Sequence, residues 1–187
     1  MIFYFLQIIF GLNNRADEME TFKAITTRRS IRKFLNKNVP DEFVSKILEA
    51  AMFAPSARNT QPWHFVVINK RDLLNKIPLV HPFADMCYQA SIAILVCGDN
   101  QLEKLEGYIA LNCGAATQNI LLCAHDLGLG AVWLGVYPRK ERMEPIAKLF
   151  NLPENIIPIS LVAIGYPAES KDQPVRVKEE RIYYNSM

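Results

Sequence analysis

The stretch TTRRSIRKF, residues 26–34, sets Arg28, Arg29, Arg32 and Lys33 around a single hydroxyl, Ser30. Four cations in nine residues stand out in a chain whose formal net charge is only +2. A guanidinium binds a phosphate through two parallel hydrogen bonds. Nucleic acid would call for a longer basic stripe with stacking aromatics, and nothing here extends the cluster. An isolated basic cluster with a hydroxyl matches one phosphate better; a solvated helix end is the plain alternative.

A second polar stretch, APSARNTQPWHF at residues 54–65, interrupts otherwise apolar sequence. It carries Ser56, Arg58, Asn59, Thr60 and Gln61 between two prolines, Pro55 and Pro62. Asn and Gln present a donor and an acceptor on one planar group. That chemistry suits the edge of a planar heterocycle with alternating C=O and N–H, although an ordinary polar turn has the same composition. A phosphate site together with a heterocycle reader suggests a mononucleotide cofactor.

Other chemistries find no support in the residues. There is no GxSxG elbow, HExxH or GxxxxGK[ST] segment, and GLGAVWLG lacks the GxGxxG spacing of a dinucleotide fold. His64, His81 and His125 lie in unrelated contexts, and no carboxylate cluster accompanies them to hold a metal. Cys87, Cys97, Cys113 and Cys123 form no CxxC and sit in apolar segments. They read as reduced, structural thiols, which suits the cytoplasm. A pI near 8.3 gives no general case for nucleic acid or a membrane as partner.

These candidate groups need elements to hold them. With 50% hydrophobic and 21% charged residues among 187, the chain can bury the core of one domain, or of one protomer in an oligomer. Helical spacing predicts a helix over 20–28 and a clearer one from Pro40 to Pro55. WHFVVIN and SIAILVCG are near-continuous apolar runs, as expected of strands covered on both faces. Residues 103–127 read as a long helix whose middle, Cys113 to Thr117, is small and uncharged, hence buried in the fold or in a dimer contact. A strand after Gly128, a helix over 139–150 and a last buried strand, IIPISLVAIGYP, complete an α+β pattern with one sheet wrapped by helices. Residues 1–18 are an apolar leader, too short to span a bilayer and without the basic start of a signal peptide. We expect it to be an extra leader or a segment that packs on a partner subunit, with the functional domain covering 19–187.

Five segments, taken in order, resemble the nitroreductase family of FMN-dependent, NAD(P)H-linked oxidoreductases: RRSIRKF, APSARNTQPWHF, HPFADMCYQASIAILVCGD, NCGAATQNILLCAHDLGLGAVWLGVYP and ISLVAIGYP. The resemblance runs from about residue 20 to 187. It implies a central, mostly antiparallel sheet wrapped by helices. It also implies a tight homodimer with two non-covalent FMN sites, each built from both subunits. By resemblance, Arg28, Arg29, Ser30 and Arg32 hold the phosphate and the pyrimidine side of the flavin, and Arg176 is a second phosphate ligand. Pro55, Ser56, Ala57 and Asn59 come from the partner to line the ring and ribityl chain, with Gln61 beside them. Trp133, Leu134 and Gly135 run along the dimethylbenzene and N5 region through backbone contacts. Two positions depart from the family pattern: Pro174 stands where many relatives carry Lys, and Asn112 where an aspartate is expected.

The reaction so implied is hydride transfer from NAD(P)H through the flavin N5 to an electron-poor acceptor, a nitroaromatic or quinone. One shared site implies ping-pong kinetics, and no side chain acts as nucleophile. Arg28 or Arg32 would favour negative charge at the flavin N1–C2=O edge. Relatives have diverged to dehalogenation, ene reduction and flavin breakdown, because fold does not fix substrate. A flavin-binding or sensory module without useful turnover is the alternative from another class.

Overall fold

The computed structural model describes residues 20–187. The apolar leader and the expected domain start at Met19 lie outside them. Helix α1 spans Thr21–Thr27 and α2 spans Asp41–Met52, followed by strand β1, Trp63–Ile68. Two short helices, α3 at Arg71–Leu74 and α4 at Ile77–Val80, lead to β2, Ile92–Asp99. The long helix α5 covers Glu106–Asp126, β3 covers Gly130–Gly135, α6 covers Lys140–Leu149 and β4 covers Ile156–Gly165. Helix α2 stops before Pro55, because the residue ahead of a proline is driven out of the helical region. The periodicity does not announce α3 and α4: four residues each is barely one turn.

The sheet has the order β1-β2-β4-β3 with every neighbouring pair antiparallel, matching the α+β, mostly antiparallel expectation. All eight residues of β2 are buried, so both faces of the sheet are covered. Ile92, Ile94 and Val96 join Trp63, Val162 and Ile164 beneath α2 and α5. Ala93, Leu95 and Cys97 face the other way, with Leu161 and Ala163, onto Leu74, Ile77 and Ile146 of α3, α4 and α6. Each wholly buried Ile or Leu in these layers is worth about 1.5–3 kcal/mol relative to exposure. Burial also pushes the thiols of Cys87, Cys97 and Cys113 up to about 12, so they stay protonated and inert.

Helix α5 lies close on the sheet because Gly98 has no side chain: a Cβ there would run into Ile109. Farther along, Thr117 Oγ1 donates to the Cys113 carbonyl at 2.7 Å, which leaves it to accept from Ser160 Oγ of β4 at 2.7 Å. The middle of α5 is thus a buried helix-to-sheet contact, with Cys113, Ala116 and Thr117 wholly covered within one chain.

The basic segment is laid across one end of the sheet. Ile31 N–H donates to the Ala131 carbonyl at 3.0 Å, and Leu35 N–H to that of Tyr166 at 2.9 Å. Gly130 makes the first contact possible, since a Cβ there would sit 2.8 Å from Ile31 Cβ. Gly130→Ala must therefore push the segment off β3. We expect a cost of about 2 kcal/mol, or roughly 4–8 °C in melting temperature. A thermal melt superimposable on wild type would show that the segment has room to yield.

Candidate functional site

Arg28, Arg29, Ser30 and Arg32 leave the end of α1 and follow the start of β3, where Ser30 bridges to Ala131. The start of the tail, residues 169–172, runs beside them. Arg29 Nε donates to the Asp172 carbonyl at 3.0 Å, and Arg32 N–H to Glu169 Oε1 at 2.6 Å. Arg176 comes close enough for its charge to act on Arg28. Burial first, then Arg176 and Arg29, pull the Arg28 guanidinium below its ordinary value. Its Nε is buried without a hydrogen-bond partner among the described residues. An arginine repelled by two others, and carrying an unused buried donor, fits a single multiply charged anion. Beside them opens a cleft of about 320 Å³ whose lining includes Thr27, Arg28, Arg29, His125 and Lys171. Thr27 Oγ1 donates to the Lys23 carbonyl at 2.6 Å and stands 2.8 Å from His125 Nε2, which ties α5 to the end of α1.

The outer edge of β3 continues from this cluster. The Ala131 carbonyl points off the sheet toward Ile31, so alternation turns the backbone groups of Trp133 and Gly135 the same way. The Gly135 carbonyl agrees: it accepts from His81 Nε2 at 3.1 Å and Arg142 Nη1 at 2.8 Å instead of from β4. Between these two occupied carbonyls the edge offers Trp133 N–H, Trp133 C=O and Gly135 N–H in a row. Donor, acceptor, donor is what a heterocycle edge with mixed polarity requires. The Trp133 side chain, 38% exposed, lies over Gly114 of α5, and Leu134 is buried in the opposite layer. At Gly135 neither the backbone conformation nor any described neighbour demands glycine: an added Cβ meets nothing within 4 Å. The missing side chain leaves a clear approach to the edge. A second cleft, of about 350 Å³, is lined by Arg32, Pro82, Phe83, Asp85 and Met86.

The 55–61 loop is held elsewhere, and under strain. Arg58, Asn59 and Gln61 have φ of 54°, 57° and 45°, a left-handed conformation costing roughly 1–2 kcal/mol for a residue with a Cβ. The loop keeps it because it is clamped. Ala57 N–H donates to Asn112 Oδ1 at 3.1 Å, and Ser56 Oγ accepts from Gln61 N–H at 3.0 Å. Arg58 Nη2 reaches both oxygens of the wholly buried Glu103 at 2.9 Å. The Leu105 N–H, then Arg58, hold the Glu103 carboxyl below the usual carboxylate range. Backbone strain so over-determined is typical of ligand clamps. Gln61 Nε2 donates to Asn59 Oδ1 at 3.0 Å, so the two amides present themselves as a pair, beside exposed Pro55. Asn112, the departure noted in the sequence, thus ties α5 to the loop, and its Nδ2 is buried without a partner among the described residues.

Within one chain the loop and the basic cluster do not meet. Asn112 holds the loop and His125 touches α1, thirteen residues apart on α5, which is about 20 Å of helix. Sequence reading missed Glu103, His81, Arg142 and His125, none of which forms a spaced pattern with the residues it serves.

A model of the nitroreductase family matches residues 25–90 and 81–166. The chain is 49% identical over 165 residues to a Methanothermobacter thermautotrophicus protein provisionally named NADH dehydrogenase/NAD(P)H nitroreductase, covering 88% of this chain and 86% of that one. A Bacteroides thetaiotaomicron structure with the same provisional name superimposes with a TM-score of 0.85 at 42% identity, covering 89% of this chain and 97% of that one. A Desulfovibrio desulfuricans structure, provisionally named a nitroreductase and solved in complex with FMN, superimposes with a TM-score of 0.78 at 34% identity, covering 91% and 99%.

Proposed function

The chain belongs to the nitroreductase family, and on that footing we propose that it is an NAD(P)H-dependent oxidoreductase that binds FMN without a covalent bond. The observation that carries the cofactor assignment is the cluster of Arg28, Arg29 and Arg176, with the unused Nε of Arg28. When bound, FMN supplies hydride transfer between NAD(P)H and an electron-poor acceptor such as a nitroaromatic or quinone. One shared site makes the kinetics ping-pong.

The residues of the chain bind and orient. Arg28, Arg29, Ser30 and Arg176 hold the phosphate, and Arg32 lies on the pyrimidine side, where a cation favours negative charge. The open edge of β3, Trp133 to Gly135, runs along the dimethylbenzene and N5 region of the ring with its backbone groups, and Gly135 leaves it room. Pro55, Ser56, Ala57, Asn59 and Gln61 act on the site of a second subunit. Two features support that sharing: the 20 Å of α5 between loop and cluster, and the apolar side chains exposed at the end of α2 and on the adjoining α5. Met52 and Phe53 are 54% and 79% exposed, and Tyr108 and Leu111 are 43% and 69% exposed, more than a helix pair leaves bare in water. Four free cysteines suit a reducing cytoplasm. No helix among the described residues is long and apolar enough to cross a membrane.

The test is the absorption spectrum of the purified full chain, followed by NAD(P)H oxidation with and without a nitroaromatic. We expect yellow protein with one FMN per chain, and oxidation that speeds up with the acceptor. Colourless protein that also fails to take up added FMN would overturn the assignment. Yellow protein without turnover would select the flavin-binding module instead.

A further inference from the structure

Gly135 ends β3 with no side chain to anchor it, and glycine is the residue least able to hold its own conformation. Yet its carbonyl carries two donors, His81 Nε2 and Arg142 Nη1, which arrive from different elements. His81 follows α4 and is 1% exposed; Arg142 belongs to α6. The two donors are themselves joined. Phe83 N–H donates to His81 Nδ1 at 3.3 Å, and the Arg142 guanidinium lies over the Phe83 ring, 5.1 Å from its centroid. The path from Gly135 through His81, Phe83 and Arg142 back to Gly135 is a closed ring of contacts. The Phe83 N–H makes Nδ1 an acceptor, so the proton of His81 must sit on Nε2, where it serves Gly135. Burial, and then the charge of Arg142, lower the imidazole's affinity for a second proton. Phe83 shares the second cleft with Arg32, so the ring stands between two parts of the proposed site.

We propose that His81, Phe83 and Arg142 are positioning residues for the reaction: they fix the orientation of Gly135, and with it the alignment of the open β3 edge against the flavin. The proposal rests on the reading that this edge faces the flavin. None of the three is required to touch the cofactor. Their work is to keep a side-chain-free strand end from swinging, so that the Gly135 N–H and the Trp133 carbonyl stay in register with their acceptor and donor.

The test compares His81→Leu, which keeps bulk and removes the donor, with His81→Gln, whose amide can still donate to the Gly135 carbonyl. Full-length proteins are stripped of flavin and titrated with FMN by fluorescence quenching, and the visible spectrum of the bound flavin and the melting temperature without flavin are recorded. His81→Leu should weaken FMN binding about two- to tenfold, as loss of one net hydrogen bond would, and shift the bound flavin bands toward those of free FMN. His81→Gln should restore both. Arg142→Leu should weaken binding as well, and the double variant His81→Leu with Arg142→Leu should lose less than the product of the single losses, because both donors serve one carbonyl. If His81→Leu lowers only the melting temperature and leaves affinity and spectrum at wild-type values, the ring is structural and the proposal fails. Wild-type protein that takes up no FMN overturns the flavin reading itself, a separate outcome from the same titration. Should His81→Leu fail to fold, the Arg142→Leu and Arg142→Lys pair carries the same comparison, with Lys expected to restore part of the loss.

Discussion

Gly135→Val is expected to fold, melt no lower than wild type, and lose most of its affinity for FMN. The folding half follows from the chain itself. The backbone at Gly135 is ordinary strand, and nothing described lies within 4 Å of a new Cβ. Valine is a strand former, and replacing glycine removes disorder from the unfolded chain worth about 0.5–1 kcal/mol. The binding half follows from what the empty space is for. Two extra methyl groups would stand where a flat ring must approach the Trp133 and Gly135 edge. Overpacking of that kind costs about 1–3 kcal/mol, which is roughly 5- to 150-fold in affinity. Calorimetry and a fluorescence titration on one preparation decide it. Raised melting temperature with unchanged affinity would mean that the flavin does not use this space.

Arg28→Ala should weaken FMN binding about thirtyfold while leaving the flavin-free protein as stable as before, or more so. Charge-assisted hydrogen bonds are worth about 1.5–3 kcal/mol each, and a loss of ~2 kcal/mol is near thirtyfold. The opposite sign for stability comes from the neighbourhood. Arg28 is half-buried beside Arg29 and Arg176, and its Nε has no described partner, so truncation removes repulsion and an unsatisfied donor together. Lys33 is exposed, and Lys33→Ala should change neither quantity measurably. Equal small effects from both substitutions would return the cluster to a solvated helix end. A drop in the stability of flavin-free Arg28→Ala would show that the arginine serves the fold first.

The residues made some of this legible and hid the rest for physical reasons. The strands were readable because burial on both faces leaves unbroken apolar runs, as in IAILVCGD. Their antiparallel order was not, because an all-apolar strand carries no mark of its neighbours; it came with the family resemblance. The basic segment announced its chemistry by residue type, but no spacing joins Arg176 to it: that residue came with the family resemblance, and the fold is what brings it near Arg28. The loop at 55–61 reads as a polar turn because its left-handed residues are Arg, Asn and Gln, with no glycine to betray them. His81 and Arg142 serve a main-chain carbonyl, a target present at every position, so no spacing rule points to them.

The strand order has a consequence for the chain during its synthesis. β4 is the last strand made, yet it lies between β2 and β3. Among the described strands only β1 and β2 can pair before it appears, and one side of β2 then stays unpaired. β3 ends at Gly135 and β4 at Gly165, thirty residues later; at about 5 to 20 residues per second that is roughly 1.5 to 6 s. Throughout that interval two strongly apolar strands lack their common partner, with open edges of the kind that recruit other chains. The nascent protein is therefore most exposed to misassociation just before its final strand inserts, and a protective holder would find its task in that interval.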